Sequence, residues 1–162
     1  MFLPREYNRD MVKIHVGTSG WYYPHWKHVF YPDDLANEDK LHFYSDHFKT
    51  VEINNTFYHM PKKESVKNWY KQVGKDFIFS VKASRYISHI LRLKEPEKSL
   101  EKFYESLDPL KEKLGPILIQ LPPYFPKNLE RLKTFVKYLR KKQPHVFEFR
   151  HDSWYEEKFM MF

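Results

Sequence analysis

Apolar and polar positions alternate along this chain in a repeating arrangement. Five short apolar runs, at residues 13–17, 50–54, 77–82, 116–122 and 146–151, each end in a polar or charged residue and a loop. An amphipathic stretch usually follows. This rhythm predicts repeated βα units and a parallel sheet. Strands buried on both faces of such a sheet read as nearly continuous Val, Ile and Leu. Here Glu52, Asn54, Lys82, Gln120, Glu148 and Arg150 interrupt the runs at period two. Residues of one parity share a face of a sheet, so these groups are predicted to converge on one polar face, with His15 and Ser80 beside them.

Helices are predicted over 38–48, 63–73 and 129–142, and over a stretch opened by Pro96. Val66, Trp69, Tyr70 and Val73 form the stripe of the second, and Gly74 fits its stop. The Pro96 stretch carries Leu100, Phe103, Leu107, Leu110 and Leu114, ends at Gly115, and kinks or restarts at Pro109. A long loop over 18–37 is rich in aromatics. Residues 155–162 read as the start of another helix. Nothing resembling a linker interrupts the chain, so residues 1–12 are assigned to an N-terminal extension and 13–162 to one domain.

Composition narrows the class. The chain has 162 residues, 41% hydrophobic and 19% aromatic, enough to bury a core and too apolar for a disordered segment. No stretch approaches the roughly 18 apolar residues of a membrane span, and no secretory signal is visible. The absence of cysteine excludes disulfides and thiolate metal sites. No membrane partner is expected, and a cytoplasmic location is the default. The net charge of +7 favours polyanionic partners. Most of the lysines, however, among them Lys63, Lys67, Lys71, Lys133 and Lys137, fall on solvent-facing helix positions. Five parallel strands fit either an open doubly wound sheet or part of a closed barrel. Gly17-Thr18-Ser19-Gly20 falls short of a dinucleotide-binding turn and runs into aromatics.

Several blocks are specific. Gly17-Thr18-Ser19-Gly20-Trp21, Phe30-Tyr31-Pro32, Val51-Glu52-Ile53-Asn54, Thr56-Phe57-Tyr58, Gln120-Leu121-Pro122-Pro123 and Glu148-Phe149-Arg150-His151-Asp152-Ser153-Trp154 occur in this order. Together they resemble the YecE-like family, the group called domain of unknown function 72. The resemblance implies an α/β fold of the TIM-type (β/α) barrel class, remotely similar to the xylose isomerase and endonuclease-IV barrels. It implies no established reaction. The family usually has Gly where this chain has His28. Its members also continue through three more strands, which are not present here. The resemblance therefore implies a barrel truncated to about five βα units of eight. Association through unpaired strand edges, or truncation of a longer reading frame, is the expectation.

The polar groups define the candidate site. In a barrel, chemistry sits at the C-terminal ends of the strands. The catalytic candidates are Glu52, Lys82, Glu148, Arg150 and His151. Lys82 and Arg150 would hold a phosphate or carboxylate while Glu52 or Glu148 acts as acid or base. A competing reading makes Glu52, Lys82, Glu148 and Arg150 an internal salt-bridge network that fixes the register. Trp21, Asn54, Tyr58, Gln120 and Trp154 are the substrate-binding candidates, because rings at a mouth stack on bases or sugars. Arg85, His89 and Arg92 form a basic loop that either clamps an anion or is solvated surface. Glu148 with His151 has metal-ligand chemistry, but no metal and no cofactor are predicted. The partners suggested are nucleic acid or a phosphorylated small molecule, bound by an enzyme or by a non-catalytic module.

Overall fold

The computed structural model describes residues 13–155. Its elements run α1 (Lys40–His47), β1 (Thr50–Ile53), α2 (Lys63–Gln72), β2 (Ile78–Lys82), α3 (Pro96–Leu107), β3 (Leu114–Gln120), α4 (Leu129–Val136) and β4 (His145–Glu148). The strands form one parallel four-stranded sheet in the order β1-β2-β3-β4. The fold is mixed α/β, and the sheet is open. The predicted extension over 1–12 and the last seven residues, 156–162, lie outside the described residues.

Strand parity follows the sequence pattern. Val51, Ile53, Phe79, Val81, Ile117 and Ile119 are at most 2% exposed and pack with Val66, Leu100, Phe103, Leu107 and Phe135 into one core. The other parity, including Thr50, Glu52, Ile78, Ser80, Lys82 and Leu118, is only half-buried. Helices therefore cover one face of the sheet, and the face opposite holds the polar groups.

The first predicted strand, 13–17, is not a strand. Ile14 and Val16 are 80% and 71% exposed, so no apolar face holds the segment down. A single backbone bond, from the Glu52 amide to the Thr18 carbonyl (2.9 Å), ties its end to β1. Alternation alone cannot make a strand without a ladder and a buried face.

β3 begins earlier than predicted, at Leu114, and Gly115 lies inside it instead of stopping a helix. The ladder advances from Phe79–Leu114 to Val81–Ile117, so β3 carries an extra residue there. A Cβ at Gly115 would lie 2.3 Å from Cγ2 of Ile78, which explains the glycine. α3 ends at Leu107, and Pro109 restarts the chain as a 3₁₀ turn over Asp108–Lys113, as the proline predicts. Lys113, 5% exposed, donates to the carbonyls of Tyr70 and Val73 (both 2.7 Å) and caps the end of α2. α4 stops at Val136, six residues early, where bonds from Tyr138 to Phe135 and Leu139 to Val136 tighten into turns. Lys137, Lys141 and Lys142 are exposed and offer no apolar stripe to hold a longer helix. Among the described residues no helix is long and apolar enough to cross a membrane.

The aromatic loop packs around Tyr31, whose hydroxyl is pushed up to about 12 by burial and by the neighbouring Tyr44. His28 adopts φ 64, the left-handed region that glycine tolerates best. A side chain stands here where glycine would be least strained.

Candidate site at the C-terminal edge of the sheet

Register places the central pair. Gln120 of β3 lies opposite Glu148 of β4. The buried Gln120 donates through Nε2 to Oε2 of Glu148 at 2.7 Å, and Arg150 Nε donates to Oε1 at 2.5 Å. Burial pushes the Glu148 carboxyl up. The bonds from Gln120 and Arg150, with the charges of Arg150 and Lys82, outweigh burial and hold it below the ordinary carboxylate range. Glu148 is therefore an oriented, ionised carboxylate whose affinity for a proton is reduced.

Lys82 closes β2 beside Leu118 of β3. Its ammonium sits 4.8 Å from the centroid of the Phe57 ring. Phe57 meets His89 edge-on, with centroids 5.0 Å apart. His89 lies in a π-helical turn, Tyr86–Ile90, and its Nδ1 is 2.9 Å from the Ser88 hydroxyl. Burial first, then the positive charges of Arg85, Lys82 and Arg150, lower the proton affinity of His89. Cations from two strand ends and the turn after β2 thus act on one imidazole.

The predicted four-charge network does not form. Glu148 pairs with Arg150. Glu52, opposite Ser80 one step down the sheet, accepts instead from the Ser19 hydroxyl at 2.8 Å. It borders a separate cavity of about 510 Å³ that His15, Ile78, Ser80 and Pro116 also line. Glu52 therefore stands apart from the Gln120–Glu148–Arg150 group.

Asn54, Tyr58 and Trp21 come together, but at a different place from the charges. With Asn55, Tyr23 and Trp69 they line a cavity of about 550 Å³. Trp21 meets Trp69 edge-on at 5.5 Å. Trp69 reads in sequence only as part of the α2 stripe, so its second role was not visible there.

Two candidates are corrected. Trp154 is 1% exposed, stacks on Phe149 at 4.4 Å and donates through Nε1 to the Phe125 carbonyl at 2.9 Å. It belongs to the core beneath the loops, because its ring finds apolar partners that sequence distance conceals. His151 bonds locally: its Nδ1 accepts from the Ser153 amide at 3.2 Å and lies 2.9 Å from the Ser153 hydroxyl. That ring organises the turn Asp152–Tyr155 and does not bond to Glu148. Among the described residues no group of three or more His, Asp or Glu is placed to hold a metal ion. Phe57 is missing from the sequence-based site, and His89 entered the reading only as part of the basic loop with Arg85 and Arg92. Their signal, an aromatic and an imidazole each a few residues past a strand end, is too common to single them out.

Residues 15–162 match the family described as protein of unknown function DUF72. The chain belongs to this family. UPF0759 protein YunF of Bacillus subtilis (strain 168) is 33% identical over 159 residues, covering 90% of this chain and 54% of that protein. The crystal structure of a DUF72 family protein from Thermotoga maritima superposes with a TM-score of 0.73 at 33% identity, over 90% of this chain and 58% of that one. Another, from Enterococcus faecalis, gives 0.66 at 29% identity, over 75% and 51%. The chain thus spans about half the length of the DUF72 relatives it matches, and its parallel sheet and helices agree with theirs.

Proposed function

We propose that this DUF72 domain binds a phosphate-bearing small molecule or nucleotide across the C-terminal ends of its strands. Lys82 and Arg150 hold the anion, and Glu148, itself bonded by Gln120, positions the Arg150 guanidinium. One observation carries the reading. Lys82 sits over the Phe57 ring that meets His89, and Arg85 and Arg150 add positive charge there. Glu148 is the carboxylate that bears on Lys82 and Arg150. The local charge is positive, and an arriving anion would relieve it.

We further propose that the sheet is an arc of a TIM-type (β/α) barrel. Parallel strands in chain order, a helix-covered face and a polar face opposite support this. In such a barrel the strand ends are where ligands bind.

Calorimetric titration with inorganic phosphate and a mononucleotide at low salt tests the reading. Lys82→Met is expected to weaken binding at least tenfold with an unchanged melting temperature. No binding by the unaltered protein would refute it. A second reading, a non-catalytic nucleic-acid-binding module, draws support from Tyr58, Tyr86 and Tyr124, which are 59%, 55% and 55% exposed on the loops. It requires single-strand affinity to fall with salt by a log–log slope of several units. A flat salt response removes it.

A further inference from the structure

Beyond the Lys82–Arg150 edge lies another concave basic surface. A cavity of about 560 Å³ is lined by His89, Arg92, Lys94, Glu95 and Arg131, among others. Three permanent cations face one carboxylate there. Two of the cations are set by rings: the Arg92 guanidinium lies 5.2 Å from the Tyr124 centroid, and that of Arg131 lies 5.5 Å from the Phe125 centroid. Tyr124 and Phe125 are consecutive, and Phe125 is 3% exposed. The two guanidinium groups therefore line one cavity from different elements, Arg92 from the turn after β2 and Arg131 from α4, each set against a ring of the Tyr124–Phe125 loop. Among the described residues neither forms an ion pair with a carboxylate.

The backbone beneath is fixed as well. Arg92, Leu93 and Glu95 have φ of 49, 63 and 48, left-handed values for three non-glycine residues within four positions. Such conformations are strained for residues with a Cβ and persist only where the surroundings enforce them. Here Leu93 is 2% exposed and its amide bonds the Ile87 carbonyl at 3.0 Å. Arg92 and Lys94 thus sit on a turn anchored by Leu93 that follows a π-helical segment, an irregularity frequent at functional sites.

His89 joins the two places. It lines this cavity, and its ring meets Phe57, over which the Lys82 ammonium sits. We propose that the Arg92–Lys94–Arg131 cavity is a second anion subsite contiguous with the Lys82–Arg150 edge, so that the ligand carries two linked phosphoryl groups. This rests on the reading of that edge as an anion site. Two guanidinium groups lining one cavity suit phosphoryl oxygens, because each offers a planar fork of donors.

Binding of orthophosphate and tripolyphosphate to the full chain tests the inference. Tripolyphosphate is expected to bind at least tenfold tighter than orthophosphate. The double variant Arg92→Asn, Arg131→Gln is expected to abolish that margin while leaving orthophosphate affinity unchanged. Asn is chosen at 92 because it tolerates the left-handed region, and thermal unfolding checks that the variant is folded. Lys82→Met is expected to weaken both anions. Equal affinities in the unaltered protein, or a double variant that keeps the margin, would overturn the second subsite. In the latter case the Lys82–Arg150 reading stands; if neither anion binds, both fall. Competition by a nucleoside diphosphate, or by a short single-stranded oligonucleotide, supports the inference and tells anhydride-linked from diester-linked phosphates.

Discussion

The two faces of the sheet come from the same strands and obey opposite rules. Towards the helices, Val51, Ile53, Phe79, Val81, Ile117 and Ile119 are at most 2% exposed. On the other face Glu52, Ser80 and Lys82 alternate with them in sequence and remain half-buried. A β-strand reverses its side-chain direction at each residue, so one backbone supplies a dry surface and a wet one 180° apart. The lesson is energetic. Apolar burial is concentrated on one face, and charged groups stay near water on the other, where desolvation costs little. The polar face can therefore be altered without dismantling the fold.

That contrast can be broken most severely from the dry side. Phe79→Ala removes a ring with no exposure and is expected to cost about 3–5 kcal/mol, seen as a large fall in urea midpoint. If the loss were under 1 kcal/mol, the helix-covered face would not be the core. Gly115→Ala presses a methyl group against Ile78 and the Phe79 carbonyl and is expected to cost about 1–3 kcal/mol.

Acid sharpens the comparison, because the dry face carries a titratable group. His145 at the start of β4 has Nε2 2.8 Å from the Tyr104 hydroxyl, and burial lowers its proton affinity. The unfolded chain therefore binds a proton more readily than the folded one. Stability is full above the ordinary histidine value of 6.5 and is lost as the pH falls through the lower folded value. The melting temperature is expected to drop between pH 7.5 and 5.5, and His145→Gln is expected to flatten part of that drop. An unchanged slope in the variant would assign the drop to other groups.

Changes on the wet face are expected to be small in stability. The Glu148–Arg150 pair is 37% and 46% exposed at its two side chains, so Glu148→Gln should shift stability by less than about 1 kcal/mol. Ligand binding or turnover is where that variant should show. A large thermal loss would restore the internal-network reading instead. Smallest of all, His28→Gly relieves a left-handed residue at the loss of an exposed contact with Asp33. A gain of no more than about 1 kcal/mol is expected in denaturant titration.

Parity made much of this fold legible in sequence. The period-two interruptions placed Glu52, Lys82 and Gln120 opposite the apolar rows, and the stripes of α2 and α3 and the restart at Pro109 needed no tertiary information. What sequence could not supply was pairing. Residues 13–17 alternate as a strand does, yet a ladder depends on a neighbour that lies elsewhere in the chain. Gln120 meets Glu148, 28 residues later, because the crossover through α4 returns β4 in that register, and no local signal encodes it. Glu52 found Ser19 before it found a cation, and Trp154 found Phe149 and Phe125. His89 was noticed as part of a basic loop, but its tie to Lys82 passes through Phe57 and is purely spatial.

The sheet has one more consequence, for the order in which the molecule assembles. Each strand bonds a neighbour about 30 residues away, as Thr50 to the Ile78 carbonyl and Gln120 to Glu148 both illustrate at 28. Among the described residues no hairpin is present to nucleate it, so its contacts are non-local and folding should be slow for a chain of this size. On a ribosome releasing the N-terminal end first, Val51 and Ile53 must wait unpaired until Lys82 has emerged. During that interval the nascent chain is a natural client for a chaperone.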